Sequence, residues 1–271
     1  MGLRINTNVA ALNTARVLNR STSALNKSLQ RLSSGLRINT AADDAAGLAI
    51  AEGFRSVVNG TQVAARNSQD GVSLVQTAEG ALSETTNILQ RIRELAVQAA
   101  NGTQSTDNRA ALHNEVAQLL IQIDTIASDT AFNGIAVLSA AQTLTLQAGA
   151  QQGQTLLVTV SGAKTSDLSI TSVQISTMAG AVSTIAQIDT ALKSVGTLRS
   201  SLGAFQNRLE FTINTLAIQE ENSSASQSAI RDANIATETI SFTRNQILVS
   251  AGTSILAQAN VVPQTALQLL S

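Results

Sequence analysis

The distribution of charge along the chain limits what it can become. From Met1 to Ala42 there are six basic residues (Arg4, Arg16, Arg20, Lys27, Arg31 and Arg37) and no Asp or Glu, and from Asn245 to Ser271 there is no charged side chain at all. The stretch between, 43–244, holds all eighteen acids and the remaining eleven bases. An uncharged tail rich in Asn, Gln, Ser and Thr makes a poor free surface. It is no membrane span either, because spanning takes about 20 predominantly apolar residues, and Asn245, Gln246, Gln258, Asn260, Gln264 and Gln268 interrupt it. Such a segment reads as a helix that buries its amides against other copies of protein, so the two ends read as assembly elements.

Composition supports this. Charged residues make up 13% of the chain, against roughly 25% in ordinary soluble proteins. Aromatic residues make up 2%, with no Trp or Tyr, so a core must be built from Ala, Leu, Ile and Val. Small side chains let helices approach closely, which suits rods better than a globule around a large pocket. One proline, Pro263, leaves long helices uninterrupted. The absence of cysteine excludes disulfides, thiol catalysis and Cys-based metal sites. A net charge of −1 and the lack of aromatic stacking platforms argue against a nucleic-acid partner. Met1 to Asn8 lacks the basic and apolar regions of a signal peptide, which taken alone favours the cytoplasm.

Periodicity then sets out the elements. Val9, Leu12, Ala15, Leu18, Leu25, Leu29, Leu32 and Leu36 continue a seam from Ile5 in steps of three and four, and Asn39 to Asp44 breaks it. Asp43 and Asp44 suit the start of a second helix. Its heptad seam runs through Phe54, Val58, Thr61, Ser68, Val72, Val75, Leu82, Leu89, Ile92 and Ala99, the pattern of coiled-coil packing. Asn101-Gly102 is expected to close it, with Gly102 in a left-handed cap. Ser105 or Thr106 starts a third helix through Leu112, Val116, Leu119, Ile123 and Ile126. Alternation at Leu144 and Leu146, a turn at Gly149 to Gly153, and alternation at Leu156, Val158 and Val160 read as a hairpin, with further strand expected around Leu168 to Ile175. Helical period returns from about Ile185, and a last helix runs from about Ala236 until Pro263 ends or kinks it.

The expected fold is mainly α, with long antiparallel helices in a coiled-coil-like rod, a small β-hairpin region, and paired terminal helices forming an inner domain. The boundaries read as 1–42 plus 232–271 for the inner domain and 43–231 for the rod, with the β region at about 130–178.

The chain resembles bacterial flagellin, the subunit of the flagellar filament. The residues that carry the resemblance are Ile5-Asn6-Thr7-Asn8, Leu32-Ser33-Ser34-Gly35-Leu36-Arg37-Ile38-Asn39 and Asp43-Asp44-Ala45-Ala46-Gly47-Leu48-Ala49-Ile50. Further matches are Gln90-Arg91-Ile92-Arg93-Glu94-Leu95, Phe132-Asn133-Gly134, Leu202-Gly203-Ala204, Gln206-Asn207-Arg208, Gln258-Ala259-Asn260 and Pro263-Gln264. They span nearly the whole chain in family order. The resemblance implies a hollow helical homopolymer used for motility, its outer domains missing here, with terminal helices lining the axis. It also implies export without a cleaved signal peptide, through the flagellar type III export apparatus with a chaperone, to an extracellular filament flanked by hook-associated and cap proteins. Arg91, Leu95 and Glu115 match the family's contact patch for a host Toll-like receptor, a patch that overlaps the subunit interface. Leu29, Leu32 and Ile255 fall on the filament-core seam.

Rival readings have less behind them. Catalysis would have to rely on His113, the only histidine, which Asn114-Glu115-Val116-Ala117 follows, so no HExxH is formed. It reads as a helix-surface residue, and no catalytic, metal or cofactor site is expected. A hook–filament junction protein would share the terminal helices. A cytoplasmic coiled-coil scaffold would explain the heptads but not the charge-free tail.

Overall fold

The computed structural model describes the backbone of residues 7–268 and the side chains of residues 7–261. Ile5, at the start of the sequence-derived seam, lies outside the described residues. Five helices and two small antiparallel sheets follow one another as α1 (Val9–Ser34), α2 (Ala45–Ala100), α3 (Thr106–Asp129), β1 (Ala131–Phe132), β2 (Ile135–Ala136), β3 (Gln142–Gln147), β4 (Thr155–Val160), α4 (Met178–Arg231) and α5 (Ile235–Gln268). Contacts divide the chain into two compact units, Met1–Ser56 with Asn222–Ser271, and Val57–Glu221.

In the first unit α1 and α5 pair antiparallel. Arg31 meets Glu238 at 3.6 Å, Leu18 packs beside Gly252, and Asn8 reaches Ala259. Gly35 closes α1 at φ +70°, its N–H donating to Arg31 O at 2.9 Å, a left-handed position that glycine adopts without a Cβ penalty. The chain then lies against the end of α4. Arg37 N donates to Arg231 O at 2.7 Å, Ala233 N donates to Gly35 O at 2.9 Å, and the Arg37 guanidinium reaches Ile230 O at 2.6 Å. The two adjacent carboxylates divide their work. Asp44 caps α2 by accepting from Gly47 N at 2.9 Å, while Asp43 accepts from the amides of Asn39 and Thr40 and pairs with Lys27 at 2.7 Å.

In the second unit the heptad seam of α2 is the core. Thr61, Ser68, Val72, Val75, Ala78, Leu82, Leu89, Ile92, Ala96 and Ala99 are buried. They meet Val116 and Ile123 of α3 and Ile188, Val195, Leu202 and Leu209 of α4. α4 runs antiparallel to α2, as three side-chain contacts show: Gln62 with Glu220, Glu79 with Arg199, and Arg93 with Asp189. The β3–β4 hairpin pairs Leu144 with Val158 and Leu146 with Leu156, and its inward side chains join the same core.

Four details depart from the sequence reading. Gly102 does not take the left-handed conformation; the end of α2 is held instead by Arg109, whose guanidinium donates to Ala99 O at 2.8 Å and Asn101 O at 3.0 Å. Residues 168–175 form no strand but a run of turns, whose Leu168, Ile170, Val173 and Ile175 are nonetheless buried. Their apolar alternation comes from packing without a ladder partner. A second hairpin, β1–β2, turns at Asn133 (φ 49°) and Gly134 (φ 79°), the positive-φ pair that a tight Asn-Gly turn requires. Finally, of the end or kink expected at Pro263, the end does not occur: α5 continues to Gln268.

Candidate assembly interface

A helix stabilised by its own chain buries an apolar stripe. Among the described residues α1 and α5 bury none: the buried side chains of α1 are Ser21 and Ser28, and α5 has no buried side chain through Val261. The face that α1 turns to its partner mixes these serines with the half-buried Leu18, Leu25 and Leu32, while other large side chains point away. Val9, Leu12, Val17 and Leu29 of α1 are exposed, as are Ile235, Ile240, Ile247, Leu248, Ile255 and Val261 of α5. Ile240, Ile247 and Leu248 line one shallow, open surface of α5 together with Thr239, Thr243 and Arg244. Of the expected seam residues, Leu29 (54% exposed) and Ile255 (57% exposed) face outward, and Leu32 is half-buried. The periodicity of α1 thus contains two stripes. One stripe, of Ser21 and Ser28 with the half-buried Leu18, Leu25 and Leu32, faces α5, and a second apolar stripe of Val9, Leu12, Val17 and Leu29 stays exposed among the described residues.

The second candidate surface lies in the other unit. Antiparallel packing of α2 and α3 brings Arg91 to Glu115, with Nε at 3.1 Å and Nη2 at 2.9 Å from the same carboxylate oxygen, while Nη1 donates to Glu94 at 3.2 Å. The hydrogen bond to Glu115, followed by that to Glu94, raises the Arg91 pKa above its ordinary value. Arg93 is likewise raised by its hydrogen bond to Asp189. Leu95 requires a correction. It was expected on the same exposed face as Arg91, but it is 1% exposed and belongs to the core. Residues four apart share a helix face only to within about 40°, and here the boundary between core and surface falls inside that angle. The neighbouring exposed group is Glu94, which the sequence reading passed over although it pairs with Arg91 at i,i+3.

His113 is half-buried in α3, with a shielded Nδ1 that meets no hydrogen-bond partner among the described residues, so the expectation of a surface position holds only in part. Among the described residues no group of His, Asp and Glu side chains is arranged to hold a metal ion, and no helix is long and apolar enough to cross a membrane.

Comparison with known proteins gives these surfaces a context. Residues 5–143 match the bacterial flagellin N-terminal helical region and residues 185–270 the bacterial flagellin C-terminal helical region. The chain is 46% identical over 269 residues to a flagellin of Halalkalibacterium halodurans, covering 98% of this chain and 99% of that one. It is 43% identical over 304 residues to a flagellin of Bacillus subtilis, covering 99% and 100%. Among solved structures, a protein assigned as a flagellar hook-associated protein from Vibrio parahaemolyticus superposes with a TM-score of 0.58 at 10% identity, over 70% of this chain and 100% of that chain. At that identity the likeness concerns the fold alone. With both terminal regions matched and two relatives aligned nearly end to end, the chain belongs to the bacterial flagellins, the structural subunits of the flagellar filament.

Proposed function

We propose that this flagellin assembles through the outward stripes of α1 and α5, which form the inner domain of a hollow helical homopolymer. The observation that carries this is the inverted packing of those helices, with Ser21 and Ser28 inside and Leu12, Val17, Leu29, Ile247 and Ile255 outside. Apolar surface on that scale is stabilised by further copies of the chain.

As in the family, the chain is a substrate of the flagellar type III export apparatus and its chaperone, exported without a cleaved signal peptide, and it meets hook-associated and cap proteins at the filament ends. The Arg91–Glu115–Glu94 cluster serves subunit contacts and, on free monomer, a Toll-like receptor, with Leu95 acting from beneath as core support. The functional test is expression in a flagellin-null bacterium. Shearable extracellular filaments and restored swimming are the expected result, and a protein retained in the cytoplasm would overturn the reading.

A further inference from the structure

Asn8 and Pro263 stand near opposite ends of the sequence, and the antiparallel pairing of α1 with α5 brings Asn8 to Ala259, four residues before Pro263. In an α-helix the N–H of residue i donates to the carbonyl of i−4, and proline has no N–H to give. Pro263 lies inside α5 and therefore leaves the Ala259 carbonyl without its helical donor. That carbonyl accepts a hydrogen bond from Asn8 Nδ2 at 2.8 Å. The other end of the same amide is also engaged, because Asn8 Oδ1 accepts from Ala11 N at 3.0 Å and caps α1. The two bonds fix the orientation of the amide, since exchanging its O and N would turn both contacts repulsive.

We infer that Asn8 is a positioning residue that locks the register of α1 on α5 by supplying the donor that Pro263 withholds. Pro263 makes one carbonyl of α5 unlike its neighbours, and Asn8 is the complementary group on α1. A slip of α1 by one turn would leave Ala259 O without a donor and would move the outward stripe of α1 relative to that of α5. The proline thus marks a single register in a pair whose packing face repeats along α1, with Ser21 and Ser28, and Leu18, Leu25 and Leu32, each at seven-residue spacing. Asparagine is required at this position for both of its atoms: Ser, Thr or Asp could cap α1, but none offers an amide donor to a second helix while doing so.

The inference rests on the polymerisation proposed above, and the test separates the two. Full-length wild type, Asn8→Asp, Pro263→Ala and the double variant are compared by the critical concentration for filament assembly. Aspartate keeps the cap and removes the donor, and alanine at 263 restores the helical N–H to Ala259 O. Asn8→Asp should raise the critical concentration roughly tenfold in the Pro263 background, the order expected when a shielded carbonyl loses its partner. The effect should be largely lost in the Pro263→Ala background. If Asn8→Asp abolishes assembly, recovery of filaments by the double variant supports the lock, and failure to recover overturns it. Equal effects in the two backgrounds, or no effect in either, would also overturn it. A wild-type chain that forms no filaments would instead count against the polymerisation itself.

Discussion

Arg91 and Leu95 stand about one turn apart on α2 and differ in what they stabilise. Leu95 is enclosed by the core, so Leu95→Ala should cost about 2–5 kcal/mol in urea unfolding of the monomer. Arg91 lies in solvent with its two carboxylate partners, so Arg91→Ala should leave the unfolding midpoint nearly unchanged while weakening subunit or receptor contacts. Equal losses from the two substitutions would show that the ion cluster is structural. Asp43 makes a third case. Its hydrogen bond to Lys27, and next that to the Thr40 amide, lower its pKa from 3.8 to about 2. Because the folded value lies below the ordinary one, the stabilisation is complete above about pH 4 and is lost as pH falls through about 2. Lys27→Met should return the Asp43 pKa part of the way to 3.8 in a carboxyl-carbon NMR titration. An unchanged value would assign the shift to the loop amides alone.

At the scale of elements, the helices were legible in the sequence because their periods are long and their caps are chemically marked. Ser105 caps α3 through Asn108 N, Asp44 caps α2, and the seam from Val72 to Ala99 is buried as its heptads require. The β3–β4 hairpin followed from alternation on both sides of a glycine-bounded turn. What could not be read is what depends on contacts between elements or on fine angles. Arg109 closing the end of α2 is a side-chain choice made from the next helix, eight to ten residues on, and Gly102 looked sufficient without it. The buried turns at 168–175 mimic a strand because an inward-outward alternation needs a wall, not a ladder. The Asn133-Gly134 turn was a signal available in the sequence, although the strands beside it are only two residues long. Removing the Arg109 clamp tests the first of these points. Arg109→Ala should speed amide exchange across residues 98–104 and cost about 1 kcal/mol, whereas unchanged exchange would return the closing role to the Asn101-Gly102 turn.

At the scale of the molecule, the chain divides its apolar surface between two purposes. The unit built on Val57–Glu221 buries its large side chains in one continuous core. The α1–α5 pair encloses Ser21 and Ser28 but no apolar side chain fully, and leaves Val9, Leu12, Val17, Leu29, Ile240, Ile247 and Ile255 outside. The first arrangement is stable on its own terms, and the second is completed by neighbouring subunits. A carboxylate introduced on the outward stripe would then be unpaired in a dry interface. Leu29→Asp or Ile255→Asp should abolish filaments in sedimentation and electron microscopy, while the monomer keeps the helical circular dichroism of residues 57–221. Filaments of normal length from either variant would remove those positions from the interface.

The absence of native cysteine makes the central claim directly measurable, since a single introduced thiol reports on one position alone. Val17→Cys on α1 and Ile247→Cys on α5 are reacted with a maleimide in monomer and in assembled filament. Rapid labelling of both in monomer and strong protection of both in filament is the expected result. Equal labelling in the two states would contradict the claim that the outward faces of the terminal helices are the surfaces by which the subunits assemble.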